Sequence, residues 1–162
     1  MGGRSETVER LGHKDASMAV IYENMAKVEL AQCNYSNAEK FANKALCLDI
    51  SALGAGHPNV AIDHDNIAEV FLSSGDFSLA EKHFLCSTSI RVNNSGKNHR
   101  IIALCNYNLA RVRLKQGRLV EARFLARHAM ELQCKFGAAQ KNDIQKIAHL
   151  IQTTARAQNP GA

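Results

Sequence analysis

The chain has 162 residues, 46% of them hydrophobic and 22% charged, and its 20 Lys and Arg against 15 Asp and Glu give a net charge of +5. A chain of this length removes about two thirds of its unfolded surface from water, so its core needs neither a metal nor a disulfide. No run of eighteen apolar residues exists to form a membrane helix, residues 1–15 lack the apolar stretch of a signal peptide, and the five cysteines are widely spaced with no CxxC. Reduced thiols, a cytoplasmic protein and no cofactor are the expectation.

Aromatics make up 6%, Pro occurs twice and Trp is absent, a mix that favours helices. The sequence aligns with itself at a shift of 42 residues: Gly12, Gly54 and Gly96, then Asn24, Asn66 and Asn108, then Ala26, Ala68 and Ala110, then Ala38, Ala80 and Ala122. In chain order, residues 1–12 come first. Val8, Leu11 and Gly12 match Ile50, Leu53 and Gly54, so this stretch reads as the tail of a preceding helix whose body is missing, in a fragment of a longer array. Three units follow, about 13–54, 55–96 and 97–138. Each holds two predicted helices: 14–31 and 35–51, then 58–73 and 77–93, then 100–115 and 119–135. Pro58 suits a first helical position and the glycines suit the left-handed residue that stops a helix. The small residues at the two alanine slots mark where paired helices approach closely. Ile144, Ile147, Ala148 and Ile151 then predict a lone capping helix over 141–157 that covers the open face of the third pair.

These residues resemble tetratricopeptide repeats. Asn108-Leu109-Ala110, Gly117, Leu119, Ala122, Ala126 and Ala129 fill the signature slots in unit three; Asn66-Ile67-Ala68, Phe71, Gly75, Phe77, Ala80 and Phe84 fill them in unit two; Asn24-Met25-Ala26, Tyr35, Ala38, Ala42 and Ala45 fill them in unit one. The 42-residue period and Leu53-Gly54-x-x-His57-Pro58 are similar to the long repeats of kinesin light chains. The resemblance implies an all-α fold, a right-handed superhelical solenoid of three helical hairpins plus the capping helix, residues 1–162 forming one repeat domain. It also implies a non-catalytic module that holds a peptide segment on the concave face lined by the first helix of each pair. Cys33 departs from the pattern at the turn glycine of unit one, and Ser87 at the packing alanine of unit two.

Asn is a poor residue inside a helix, yet three copies recur at one position. An amide offers a donor and an acceptor, as a peptide backbone requires; alternatively, each Asn bonds a neighbouring repeat and orders the stack. The candidate peptide-binding residues are Asn24 and Lys27, then Asp65, Asn66 and Glu69, then Tyr107, Asn108, Arg111 and Lys115. The others lie one, three or seven positions from an asparagine of the ladder. Charge along this wall runs from mixed through acidic to basic. Residues 98–162 hold eleven Lys and Arg against three Asp and Glu, which suits a partner with an acidic segment. A nucleic acid is a weaker alternative, because aromatic side chains among the cations are few. Self-association through the open N-terminal face, around Met18, Ile21, Tyr22 and Met25, is another. No catalytic motif occurs, so no catalytic residues and no enzyme activity are expected. Asp63-His64-Asp65 is not expected to bind a metal, since neighbours on a helix diverge.

Overall fold

The computed structural model describes residues 3–96, 99–135, 145 and 148–153, with the side chains of Ser17 onward except His99. All described regular structure is helical. The helices are α1 (Gly3–Ala31), α2 (Tyr35–Leu53), α3 (Pro58–Ser74), α4 (Phe77–Ser95), α5 (His99–Lys115) and α6 (Leu119–Lys135). Five of the six match the expected spans to within two residues at each end.

The exception is α1. The register predicts a break at Gly12, with residues 1–12 as the tail of a separate helix, but α1 runs unbroken for 29 residues. After Gly54 come a second glycine, His57 and Pro58, which end α2 and open α3. Gly12 is followed by His13-Lys14-Asp15-Ala16, with neither a second glycine nor a proline. A lone glycine costs a helix only about 1 kcal/mol, which continuous hydrogen bonding offsets.

The other boundaries have local causes. His57 caps α3: its backbone is extended and its Nδ1 accepts the Asn59 N–H at 3.1 Å, while Pro58 takes a first-turn position where no N–H is needed. Gly75 closes α3 in the left-handed conformation (φ +94°), and its N–H reaches the Phe71 carbonyl at 3.1 Å. Asp76 Oδ1 then accepts the Leu79 N–H at 3.1 Å and starts α4. Asn94, at the far end of α4, donates to the Gly56 carbonyl at 2.6 Å and fastens the α2–α3 connection.

The chain forms two compact units, Met1–Asn94 and Ser95–Ala162. In the first, Ala26 of α1, Ala42 of α2 and Ile67 of α3 meet beneath Phe41, Leu46 and Phe71. In the second, Ala103 and Ala110 of α5 meet Ala126 and Ala129 of α6, and Leu150 joins them. Residues 145 and 148–153 of the expected capping helix are helical, and 148–153 carry Leu150 and Ile151 onto that core; the other residues of 141–157 lie outside the described ones. All six alanines of the two repeating slots are at most 2% exposed.

That burial gives a direct test of the register. Ala68→Leu should overpack the α3 interior by roughly 1–3 kcal/mol and lower the melting temperature by several degrees. Unchanged thermal unfolding would contradict the close approach at this slot. A second test uses the turn after α1, where Cys33 adopts φ +61° in the slot that Gly75 and Gly117 fill in the later units. A left-handed non-glycine residue costs about 1–2 kcal/mol. Cys33 is exposed, so its side chain contributes little packing. Allowing about 0.4–1 kcal/mol for the greater freedom of glycine in the unfolded chain, Cys33→Gly should stabilise the fold by up to about 1 kcal/mol, seen as a melting point a few degrees higher.

Candidate functional site

The residues expected to bind a partner sit on first helices, at positions set by the 3.6-residue turn. In the first unit, Asn24 and Lys27 of α1 are exposed, while Asp65, Asn66 and Glu69 of α3 are half-buried. In the second, Asn108 of α5 is buried, Tyr107 and Arg111 are half-buried, and Lys115 is exposed. The three asparagines therefore share a helical position without sharing an environment. Asn24 faces a shallow groove of about 350 Å³ with Ile21, Met25, Val28 and Glu29. The Asn66 side-chain nitrogen is buried and has no hydrogen-bond acceptor in range.

Several of the charges are already engaged. Lys27 Nζ lies 3.6 Å from Glu23 Oε2, one turn earlier, a pairing of small energetic weight at this exposure. Asp65 receives Arg91 of α4 at 2.5 Å, and the same guanidinium donates from Nε to Ser87 Oγ at 3.1 Å. Ser87, which departs from the alanine pattern, thus holds Arg91 in place. The acidic middle of the expected wall is correspondingly weaker than the sequence implies. In the second unit the Arg111 guanidinium lies 5.7 Å from the Tyr107 ring. Glu121 takes both nitrogens of Arg118, at 2.7 and 2.6 Å, and sits 3.5 Å from Arg113, so part of the basic excess there is neutralised locally.

Asp63, His64 and Asp65 diverge, as three successive helical residues must, and each finds a different neighbour. Asp65 meets Arg91. His64 meets His83 of α4, Nδ1 to Nδ1 at 3.0 Å, and His83 stacks on Phe71 with ring centres 5.7 Å apart. Asp63 turns toward Asp49 of α2 and Glu23 of α1, with one carboxylate oxygen from each of the three within 4.8 Å of the others. Asp49 and Asp63 are each 1% exposed, and none of their four carboxylate oxygens has a hydrogen-bond partner. Burial, then the Asp49 and Glu23 carboxylates, push Asp63 up to about 7 against the pull of Lys27. Burial also raises Asp49, although Asn59 and His57 act in the opposite sense.

This acidic group escaped the sequence reading because its members come from three helices, 26 and 14 residues apart. A signal was nevertheless present. Asp49 continues the stripe Ala38, Ala42, Ala45, and Asp63 shares a face with Val60, Ile67 and Val70, so both acids stand where the period demands apolar residues.

A tetratricopeptide-repeat family model matches residues 17–91. Among solved structures, the fold is similar to BtubC (BKLC) from P. vanneervenii, with a TM-score of 0.65 and 16% identity. That match covers 88% of this chain and 63% of the other, so this chain spans less than two thirds of its structural neighbour. No curated protein matches the sequence. Residues 17–91 are thus similar to tetratricopeptide repeats, and the fold class is the all-α helical repeat solenoid. Among the described residues, no helix is long and apolar enough to cross a membrane.

The histidine pair yields a pH test. Burial, then His64 and Lys82, lower His83 to about 4, and burial lowers His64 as well. A histidine whose folded pKa is depressed contributes full stability above its unfolded value, near 6.5. That contribution falls as the pH drops toward 4, because the unfolded chain takes up a proton that the folded pair refuses. His83→Phe keeps the stack on Phe71 and removes this loss. Its melting temperature should gain several degrees relative to the parent between pH 7 and pH 4.5; a constant difference would show that His83 is not held neutral.

Proposed function

We propose that this chain is a non-catalytic protein-binding module, an adaptor or scaffold element acting in the cytoplasm. Its long repeats resemble those of kinesin light chains, and its ligand is an extended segment of a partner protein. Tetratricopeptide repeats generally mediate protein–protein interaction, and residues 17–91 are similar to such repeats. Asn66 carries the finer reading. It is half-buried on α3, and its amide nitrogen has no acceptor. An unsatisfied donor is costly, and a turn of this half-buried side chain toward the surface would bring it to the carbonyl of an extended peptide. Asn24 and Lys27 extend the same reading on α1, with Asp65 and Glu69 beside Asn66 on α3. Tyr107, Asn108, Arg111 and Lys115 extend it in the second unit, where the cationic residues suit an acidic stretch of the partner.

Self-association is a second reading with its own observation. Val20, Ile21 and Val28 on α1 are 51%, 50% and 55% exposed, an apolar strip that a second copy would cover. Sedimentation at rising concentration reads this directly.

The peptide reading is tested with a library of extended peptides graded in charge, presented to the parent chain and to two variants. Asn66→Ala combined with Asn108→Ala should lower affinity roughly five- to a hundredfold, at about 0.5–1.5 kcal/mol for each bond lost. Its stability should hold, since Ala is the better helix former. Arg111→Glu should instead slow association with acidic peptides and change its salt dependence. If the double variant loses stability and keeps its affinity, the asparagines order the stack and the ligand binds elsewhere.

A further inference from the structure

We propose that Glu23, Asp49 and Asp63 form a binding site for a hard divalent cation, calcium by its tolerance of irregular coordination, held between α1, α2 and α3. Two observations support the site independently. One is the burial of Asp49 and Asp63, each 1% exposed, with no partner on any of their four carboxylate oxygens and one oxygen of each within 4.8 Å of the other and of a Glu23 oxygen. Carboxylates buried beside one another without donors are strongly unfavourable unless positive charge offsets them.

The other comes from the repeat itself. A shift of 42 carries Glu23 to Asp65 and Asp49 to Arg91. In α3 and α4, that slot pair is the Asp65–Arg91 ion pair. In α1 and α2, the same pair is Glu23 and Asp49, two acids, and Asp63 adds a third. The slot that supplies a guanidinium in one hairpin supplies a carboxylate in the other. A bound cation would stand where the arginine charge stands in the next hairpin.

The donor chemistry chooses among ions. All three donors are carboxylate oxygens, which favour calcium, magnesium or manganese over zinc or copper. Three oxygens within 4.8 Å of one another leave a common centre within about 2.8 Å of each, so small side-chain movements bring them to the calcium–oxygen range of about 2.3–2.6 Å, and calcium's flexible coordination suits such a site better than magnesium's near-ideal octahedron. Asp49 and Asp63 form the enclosed side. The Glu23 side chain, 14% exposed, lies toward solvent, where water completes the coordination.

The experiment is calorimetric and thermal titration of the chelator-treated chain with calcium chloride and, separately, magnesium chloride. One calcium should bind per chain, at least tenfold more tightly than magnesium, and saturation should raise the melting temperature by several degrees, reversed by EDTA. Glu23→Gln keeps the shape of a partly exposed side chain and should weaken calcium binding at least tenfold. Asp49→Arg introduces the charge found in the next hairpin, so it should abolish the calcium response while leaving the chelated chain at least as stable as the parent. A parent chain with no saturable heat and no melting shift at millimolar calcium would overturn the site. So would a calcium response that Glu23→Gln and Asp49→Arg leave intact, since the ion would then bind elsewhere.

Discussion

Close approach of helices at alanine positions is the constraint on which the structure depends. Ala26 and Ala42 in the first unit, and Ala110 and Ala126 in the second, let backbones come together at a distance that larger side chains would prevent. An alanine buries little apolar surface, so larger residues such as Ile67, Val60, Phe84 and Val112 supply most of the buried bulk. Such a core contributes modest energy per residue and depends on shape. Small changes at the contact slots are therefore felt, while the helix runs on through Gly12, which neither a second glycine nor a proline follows.

The narrow seams also decide where polar groups can go. Between helices separated by alanines, a polar side chain either reaches a partner on the adjoining helix or stays without one. Ser87 and Arg91 show the first outcome: a small hydroxyl in an alanine slot leaves room for the guanidinium that Asp65 requires. His64 and His83 show another: two rings share one proton-sized gap, and burial keeps them neutral. Asp49 and Asp63 show the unsatisfied case, in which no described residue lies in hydrogen-bond range of their carboxylate oxygens.

The fold was legible because its causes are local and repeated. The alanine slots, the His57-Pro58 start and the Gly75 stop each act through neighbouring residues, and the period of 42 presents them more than once. The start of α1 was less legible, since a single glycine has no fixed meaning without the residues after it. The candidate site was legible only as positions on a helix. Spacing places Asn24, Asn66 and Asn108 on one face, but whether each is exposed or enclosed depends on the neighbouring helix, which spacing does not describe. The same limit hid the Asp65–Arg91 pair, whose members lie 26 residues apart and meet only when α3 and α4 pack.

A repeat protein offers a further kind of inference, because each unit is a control for the others. Glu23 and Asp49, Asp65 and Arg91, and Tyr107 and Gln133 occupy the same two slots in successive hairpins. The sequence register is the same in each, and the side chains differ in charge: two acids, then an acid with a base, then two neutral groups. Shape selects the fold at the alanine slots and tolerates no variation there; the slot pair beside them is free to vary, and its variation sets what charge each hairpin needs from outside. The third pair needs none, and the second supplies its own. In the first, Lys27 lies against Glu23 with its side chain 55% exposed, so solvent screens its charge and leaves the enclosed Asp49 and Asp63 largely uncompensated. Among the described residues, buried carboxylate charge without a partner is therefore concentrated where α1, α2 and α3 meet, and a ligand that carried positive charge into that seam would stabilise the first hairpin selectively.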